Sequence, residues 1–217
     1  MDTMALRNLT YGMFVLGTKN GDRPTGCTVN TVIQVTSDPI LIMACVNHQN
    51  FTNQCIKQSK GFSVSILSEE TPGSVIGNFG FRSGRDTDKF ASIPYFLTPE
   101  GYPVLKLNTC GWLECKLESF TDLKTHTLFI GSLTGAEAGT AGAASGNPMT
   151  YAYYHRVVKG KAPANAPIFE KPLESLWTCP ICGYQYDGSA GPFGDLPHSW
   201  KCPICGAGKD AFKLNKA

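Results

Sequence analysis

Four of the nine cysteines stand in two copies of one short motif near the C-terminus. The motif Cys-Pro-Ile-Cys-Gly begins at Cys179 and again at Cys202, with 19 residues between Cys182 and Cys202. Two residues between paired cysteines let a tight turn direct both sulfurs at one ion, and the following glycine permits the positive φ that such a turn needs. Four thiolates form a tetrahedral site that suits zinc or iron. The spacing therefore predicts one metal ion held by Cys179, Cys182, Cys202 and Cys205.

The residues around these cysteines distinguish between two kinds of metal module. Cysteine spacing alone is compatible with a structural zinc ribbon. The stretches 177–187, 193–206 and 209–212, however, closely resemble rubredoxin. That resemblance implies an iron ion that cycles by one electron and has no open position for a substrate, with zinc as a possible substitute in the site. Five aromatic residues can form the core of such a small module and keep water from the metal: Trp177, Tyr184, Tyr186, Trp200 and Phe212.

Composition excludes several functional classes. A chain of 217 residues has room for one medium domain and one small one. A formal charge of +2 leaves little excess of Lys and Arg for phosphates, so nucleic acid is not an expected partner. No apolar run approaches the ~20 residues that cross a bilayer, so no membrane span is expected. The first residues lack the pattern of a secretory signal, and we expect a cytoplasmic protein whose cysteines bind metal in a reducing compartment.

Most of the chain before residue 157 is typical of a mainly β domain. Alternating apolar runs predict strands in Tyr11–Thr18, Thr28–Thr36, Ile40–Val46, Phe62–Leu67, Gly111–Phe120 and His126–Leu133, and helical spacing predicts short helices in Thr52–Gln58 and Glu69–Phe79. The Gly- and Ala-rich stretch Gly135–Gly146 is predicted to be a surface loop. Prolines between residues 159 and 175 indicate an extended linker. The predicted organisation is a β domain over 1–158, a linker over 159–175 and the metal module over 176–217.

A one-electron carrier fused to a larger domain needs a redox group in that domain. A Gly-x-Gly-x-x-Gly turn and a P-loop are both absent from the sequence, so a Rossmann or P-loop nucleotide domain is not expected. Three segments instead resemble the flavin-reductase family, which binds FMN on a split β-barrel and usually dimerises. They are residues 26–47 with the short helix beyond, residues 79–90, and His126–Gly131.

The resemblance to the flavin-reductase family implies a set of FMN contacts. Hydroxyl and amide side chains can hydrogen-bond the pyrimidine edge of the flavin, a threonine near a helix N-terminus can receive phosphate, and the glycine-containing loop offers cations for the same phosphate. The predicted contacts are Thr28, Asn30, Thr31, Asn47, Asn50, Thr52, Arg82, Ser83, Gly84 and Lys89, with Arg85 as a further cation of that loop. No side chain is predicted to act as a catalytic acid, base or nucleophile.

Other residues have simpler interpretations. Cys27, Cys45, Cys55, Cys110 and Cys115 show no metal-ligand spacing and are expected to behave as small hydrophobic residues. His126 aligns with a histidine of the family, and the cluster around Tyr154 and His155 is more typical of core or dimer contacts, although stacking of Tyr154 on the flavin is an open hypothesis.

The combination of both halves resembles the family of high-molecular-weight rubredoxins. This implies an NAD(P)H-dependent oxidoreductase, working as a homodimer, that passes electrons through FMN to iron and on to a partner such as a flavodiiron protein. One alternative is a flavin reductase that releases reduced flavin and carries a zinc ribbon used for interaction. Another is a flavin-binding carrier that is reduced only by a protein donor.

Overall fold

The structure is a computed structural model that describes residues 3–139, 146–158, 177–186 and 193–214. Its chain forms two compact units, one of Thr10–Ala152 and the other of Met1–Leu9 together with Tyr153–Ala217. The predicted linker over 159–175 lies outside the described residues, so the bounds of the three predicted segments stay a prediction. No helix in the described part of the chain is long and apolar enough to cross a membrane.

Short strands dominate the secondary structure, which confirms the predicted mainly β class. The strands are β1 Phe14–Asn20, β2 Arg23–Val29, β3 Val32–Ser37, β4 Ile40–Asn47, β5 Gly61–Leu67, β6 Tyr95–Leu97, β7 Pro103–Leu105, β8 Thr109–Asp122, β9 His126–Ala138, β10 Trp177–Thr178 and β11 Lys213–Leu214. The α-helices are α1 Phe51–Ser59, α2 Gly73–Phe81 and α3 Tyr151–Tyr153, which continues as a π-helical turn over Tyr154–Val158. Turns of 3₁₀ helix cover Thr3–Asn8, Phe193–Asp195 and Lys209–Ala211.

Seven strands form one antiparallel sheet in the order β2-β1-β5-β8-β9-β4-β3. Strands β2 and β4 lie far apart in that order, yet both contribute buried side chains to one core, which includes Cys27 of β2 and Ala44 of β4. The sheet must therefore curl around this core. Phe62 and Phe129 fill the centre of the core and are fully buried. This curled, incompletely closed sheet agrees with the predicted split β-barrel.

Two predicted elements differ from the structure around the β2–β3 connection and at α2. The single strand predicted over Thr28–Thr36 is wrong, because the chain turns at residues 30–31 and pairs β2 with β1 but β3 with β4. The helix predicted from Glu69 begins only at Gly73, because Pro72 has the extended conformation φ −60°, ψ 139° at the N-cap.

The surface loop predicted over Gly135–Gly146 is wrong in its first part. Strand β9 continues to Ala138 because β8 is long enough to pair with it, with Trp112 opposite Glu137 and Glu114 opposite Gly135. The low hydrophobicity of this stretch suggested a loop, but the backbone ladder of the hairpin, which needs no large side chain, extends the strand. Residues 140–145 of the predicted loop lie outside the described residues.

Helix α1 packs against the barrel through one face. Its buried residues are Thr52, Asn53, Cys55 and Ile56, a spacing that places them on the same side of the helix. The amide of Asn53 donates to Val46 O and to Thr127 Oγ1, each at 3.0 Å. These bonds join the helix to the ends of β4 and β9. The N-terminus of α1 is thereby fixed at one end of the barrel.

Candidate functional sites

The structure brings the four predicted metal ligands together. The Sγ atoms of Cys179, Cys182, Cys202 and Cys205 all lie within 4.8 Å of one another. Cys179 Sγ lies 3.6 Å from Cys205 Sγ, and Cys182 Sγ lies 3.5 Å from Cys202 Sγ. A tetrahedral ion with metal–sulfur bonds of about 2.3 Å separates its sulfurs by about 3.8 Å. The four thiols therefore fit a single tetrahedral ion, and a set made only of thiolates suits iron or zinc.

The two cysteine knuckles have the same backbone geometry. In each, the first cysteine accepts a hydrogen bond from the glycine four residues later, and its own N–H donates to the carbonyl five residues later. The glycines adopt φ of 77° at Gly183 and 75° at Gly206, in the left-handed region that favours glycine. The bonds are Gly183 N–Cys179 O 2.9 Å, Cys179 N–Tyr184 O 2.9 Å, Gly206 N–Cys202 O 2.9 Å and Cys202 N–Ala207 O 2.7 Å.

Backbone N–H groups within the knuckles point at sulfur. Burial raises the pKa of the Cys179 thiol, but the backbone N–H groups of Cys182 and Ile181, together with the neighbouring thiols, outweigh it, and the net pKa is lowered. The corresponding N–H groups of Cys205 and Ile204 donate to Cys202, where burial has the larger effect and raises the pKa. N–H donors to a metal-bound sulfur stabilise its negative charge, and they are one means by which a protein sets the potential of such a centre.

A cluster of aromatic rings forms the core of the metal module. Phe193, which no sequence pattern indicates, lies at its centre, and its ring is stacked on Trp177 with a centroid separation of 4.6 Å. Its ring also packs against those of Phe212, Tyr186 and Trp200, with centroid separations of 5.2, 5.3 and 5.8 Å. Phe193 follows a stretch of small residues without a regular pattern, so its central position could not be read from periodicity. The five aromatic residues predicted for the core all pack in this cluster or against it.

The outer side of the metal module presents two exposed apolar side chains beside the ligands. Ile181 precedes Cys182 and is 70% exposed, whereas Ile204 precedes Cys205 and is 39% exposed. Cys205 is itself exposed, in contrast to the buried Cys179 and Cys202. An exposed ligand is the part of such a site that another molecule can approach most closely. Apolar neighbours at such a ligand suit contact with another protein surface.

The first segment of predicted flavin contacts lies at one end of the barrel. Thr28 donates through Oγ1 to Ile76 O at 3.1 Å, which joins β2 to α2. Asn30 is buried, and its Oδ1 accepts from Thr31 Oγ1 at 3.0 Å. Its Nδ2 has no hydrogen-bond partner among the described residues. A buried amide donor in this state is costly, and a ligand acceptor such as the flavin edge would satisfy it.

The second group of predicted contacts surrounds the start of α1. Thr31 O accepts from Cys45 N at 3.0 Å, so the β2–β3 turn lies beside the end of β4. Asn47 ends β4 and accepts at Oδ1 from Gln49 N at 2.8 Å. Asn50 is the N-cap of α1, and the structure shows no side-chain cap from it. These residues therefore lie at the same end of the barrel as Asn30.

Thr52 and the loop after α2 complete the region. Thr52 is buried, and its side chain lies beside the Cys27 thiol of β2. A Cβ on Gly84 would lie 2.2 Å from Thr25 Oγ1 and 3.4 Å from the Phe51 ring, so this glycine brings the loop against β2 and the first residue of α1. Arg82 and Ser83 are exposed, and Ser83 Oγ accepts from Arg85 N at 3.1 Å.

For two residues near this region, Lys89 and Thr25, the structure differs from the sequence prediction. Lys89 lies inside the protein, and its Nζ donates to Gly26 O at 2.9 Å and to Phe79 O at 3.0 Å. Thr25 was not selected from the sequence, yet it is buried and its Oγ1 has no partner within the described part of the chain. A threonine in a strand gives no signal of this kind, because the close approach that covers it comes from Gly84 in a distant segment.

His126 and Tyr154 occupy separate surroundings. The ring nitrogen Nδ1 of His126 lies 2.8 Å from Thr125 Oγ1, and burial, followed by the charge of His48, lowers the pKa of His126. Tyr154 belongs to the compact unit of the metal module, and its ring contacts His155 with a centroid separation of 5.2 Å. Burial, and then the charge of Cys182, raise the pKa of Tyr154 to about 12. Stacking of Tyr154 on a flavin stays a hypothesis.

Comparison with protein families gives two matches that together span most of the chain. The flavin reductase like domain matches residues 6–161, and rubredoxin matches residues 176–212. The second match contains all four clustered cysteines. The first match contains every predicted flavin contact.

Individual proteins show similarity over one or both regions. The high molecular weight rubredoxin of Moorella thermoacetica is 47% identical, and the alignment covers 98% of this chain and 99% of that protein. The ferric-chelate reductase (NAD(P)H) of Archaeoglobus fulgidus is 36% identical, with 78% of this chain and 98% of that protein aligned. Among solved structures, flavoredoxin from Methanosarcina acetivorans has a TM-score of 0.56 at 21% identity, covering 64% of this chain and 74% of that one. At this identity the likeness concerns the fold alone.

Proposed function

Because this chain belongs to the flavin reductase-like family and ends in a rubredoxin domain, we propose that it passes electrons from NAD(P)H through bound FMN to one iron ion, and from iron to a redox partner. The observation that supports the proposal is the presence of a flavin reductase like domain and a cluster of four thiols in one chain. A tetrathiolate cluster leaves no ligand position for a substrate, and with iron bound its use is electron transfer. A flavin domain in the same chain is a direct source of those electrons.

FMN and iron supply different parts of the proposed electron transfer. When bound, FMN supplies the conversion between two-electron and one-electron transfer, and iron supplies a one-electron couple. The barrel's own residues bind and orient the flavin. The buried Nδ2 of Asn30 has no partner among the described residues and suits a flavin acceptor. Thr28, Thr31, Asn47, Asn50, Thr52, Arg82, Ser83 and Gly84 are proposed to complete the site as contacts, whereas Lys89, predicted with them, is enclosed beside the site and bonded to two carbonyls.

The metal module holds its ion and sets the reduction potential of that ion. The four thiolates fix a tetrahedral geometry, knuckle N–H groups stabilise the charge on sulfur, and the aromatic cluster around Phe193 keeps water from one side. The exposed Cys205 with Ile204 and Ile181 offers the surface for an acceptor, for which we propose a flavodiiron-type protein. NAD(P)H as the donor is supported by the name of the Archaeoglobus fulgidus relative.

A homodimer formed through the flavin domain is part of the same proposal. The edge strand β3 exposes Ile33 and Val35, and the neighbouring β4 exposes Ile40 at its start. An apolar edge of a sheet is unfavourable in water and is a common place for a second copy to pack. Sedimentation analysis of the full chain tests this, and a monomer at micromolar concentration would contradict it.

Anaerobic stopped-flow absorbance tests the electron path. NADH or NADPH is mixed with iron-loaded, flavin-loaded protein, and we expect the flavin absorbance to bleach before the thiolate-to-iron absorbance does. Cys205→Ser should remove the second phase and keep the first, and Cys110→Ser, which changes a cysteine outside the metal cluster, is the matched control. Flavin that stays oxidised would indicate a protein donor instead. Colourless native protein that releases reduced flavin would indicate a flavin reductase with a zinc ribbon.

A further inference from the structure

Lys89 is a buried cation whose partners are backbone carbonyls. Its side chain is 4% exposed, and Nζ donates to Gly26 O at 2.9 Å and to Phe79 O at 3.0 Å. Phe79 stands in the last turn of α2, where carbonyls have no helical partner and the helix dipole favours positive charge. Gly26 belongs to β2, an edge strand of the sheet. One ammonium group therefore joins the end of α2 to the edge of the barrel.

A third hydrogen bond fixes the backbone of the same residue. Asn78 Nδ2 donates to Lys89 O at 2.7 Å. Both ends of the loop over 82–88 are consequently held on α2, the first by the chain itself and the second by Asn78 and Lys89. We call residues 82–88 the return loop. Because its ends are fixed, the positions of its middle residues are restricted as well.

The middle of the return loop lies over a buried, unsatisfied hydroxyl. Gly84 approaches Thr25 so closely that a Cβ would lie 2.2 Å from Thr25 Oγ1. Thr25 is 2% exposed, and its Oγ1 has no partner among the residues described. The guanidinium carbon of Arg85 lies 5.2 Å from the centroid of the Phe51 ring, at the first residue of α1. A hydroxyl, a guanidinium and a helix N-terminus thus converge at this place.

From this arrangement we infer that Lys89 is a positioning residue, which holds the return loop so that Arg85, with Thr25 and the N-terminus of α1, binds the phosphate of the flavin. The inference rests on the proposed binding of FMN. It changes the role of Lys89 from a direct phosphate ligand to a residue that acts through Arg85. The reason is geometric, since the ammonium is enclosed by protein and bonded to two carbonyls, whereas Arg85 is exposed.

The contribution of the flavin phosphate to binding affinity tests the roles of Lys89 and Arg85. Dissociation constants for FMN and for riboflavin, which lacks the phosphate, are measured with the full chain, and their ratio reports the contribution of the phosphate. A charge-assisted hydrogen bond is worth roughly a tenfold to hundredfold change in affinity. Arg85→Gln should reduce the FMN preference by about that factor, and Lys89→Met by a similar factor. Lys116→Met, at an exposed lysine of β8, is the control and should leave the ratio unchanged.

The double variant decides between an indirect and a direct role. When Lys89 acts through Arg85, the variant with both substitutions loses no more than the larger single loss, because the two residues serve one interaction. Two direct ligands would instead give losses that multiply, and that result would overturn the inference. Wild-type protein that binds neither flavin would remove the proposed function itself, which keeps the two failures distinct.

Hydrogen exchange in flavin-free protein provides an independent readout. Lys89→Met should speed exchange of the return-loop amides before any flavin is added, whereas loss of a direct ligand would leave them unchanged. Lys89→Gln serves if the methionine variant fails to fold, since its amide can still donate to a carbonyl but carries no charge. A glutamine variant that loses the entire FMN preference while keeping wild-type loop exchange would also overturn the inference.

Discussion

The aromatic core of the metal module makes a quantitative prediction for Phe193→Ala. Phe193 is buried and contacts four other rings, at centroid separations between 4.6 and 5.8 Å. Truncating a buried phenylalanine to alanine costs about 3–5 kcal/mol. A module of this size rarely gains more than about 3–5 kcal/mol from its core, so the variant should depend almost entirely on its metal to stay folded.

The assay for Phe193→Ala is the rate of iron loss to a chelator under anaerobic conditions, followed through the thiolate-to-iron absorbance. Iron that leaves through unfolding of the module should leave about 150- to 5,000-fold faster, which is the factor that corresponds to 3–5 kcal/mol. Phe193→Leu keeps much of the buried volume and should show a smaller acceleration. Flavin retention should be unchanged in both variants, because the predicted flavin contacts lie in the other compact unit.

A rate of iron loss that stays within threefold of wild type in Phe193→Ala would refute this reasoning. It would mean that the thiolates and knuckle hydrogen bonds alone hold the ion, and that the ring cluster contributes little. The same conclusion would follow if Phe193→Leu and Phe193→Ala released iron at equal rates.

Three further predictions concern the knuckle backbone, the barrel core and the metal. Gly206→Ala should destabilise the iron-loaded module by about 1–2 kcal/mol in thermal unfolding, because φ is 75° there. A Cβ at Gly206 would contact nothing within 4 Å, so the cost is that of the backbone conformation alone. Gly194→Ala is the control and should be nearly neutral, since Gly194 also has no neighbour within 4 Å and its φ is not positive. Burial, with a smaller effect of the Glu114 charge, raises the pKa of Cys115 to about 12. The stability that the protonated Cys115 thiol contributes is therefore complete below pH 9.0 and is lost as pH rises toward 12, at about 1.4 kcal/mol per pH unit. In Cys115→Ala, the free energy of unfolding measured with denaturant should fall less steeply over this pH range. Removal of the metal by a chelator should leave flavin absorbance and flavin affinity unchanged; flavin lost together with iron would contradict this.

The sequence predicted the chemistry of the ligands better than the path of the chain. Repeated knuckles identified the four cysteines, because metal ligation requires fixed residue types at fixed spacing. Strand β4 and strand β5 were predicted within one residue, since apolar runs there end at clear turn residues. The break at residues 30–31 was missed because the same apolar pattern continues on both sides of it.

The parts that could not be predicted depend on contacts between distant segments. The central place of Phe193 depends on rings contributed by Trp177 and Phe212, and no local pattern reports that packing. The buried hydroxyl of Thr25 matters only because Gly84 lies against it. Lys89 was predicted to face phosphate because cations usually do, whereas the structure directs its ammonium to two carbonyls.

Burial of three of the five remaining cysteines has a consequence for how the chain acquires its metal. An unfolded chain presents nine thiols to an incoming ion, any of which can form incorrect complexes. Once the barrel has folded, Cys27, Cys55 and Cys115 are enclosed in its core and withdrawn from this competition. We therefore expect correct metal loading in the cell, and in refolding experiments, to improve when iron is supplied after the barrel has formed. Iron given to the fully denatured chain should produce more miscoordinated product.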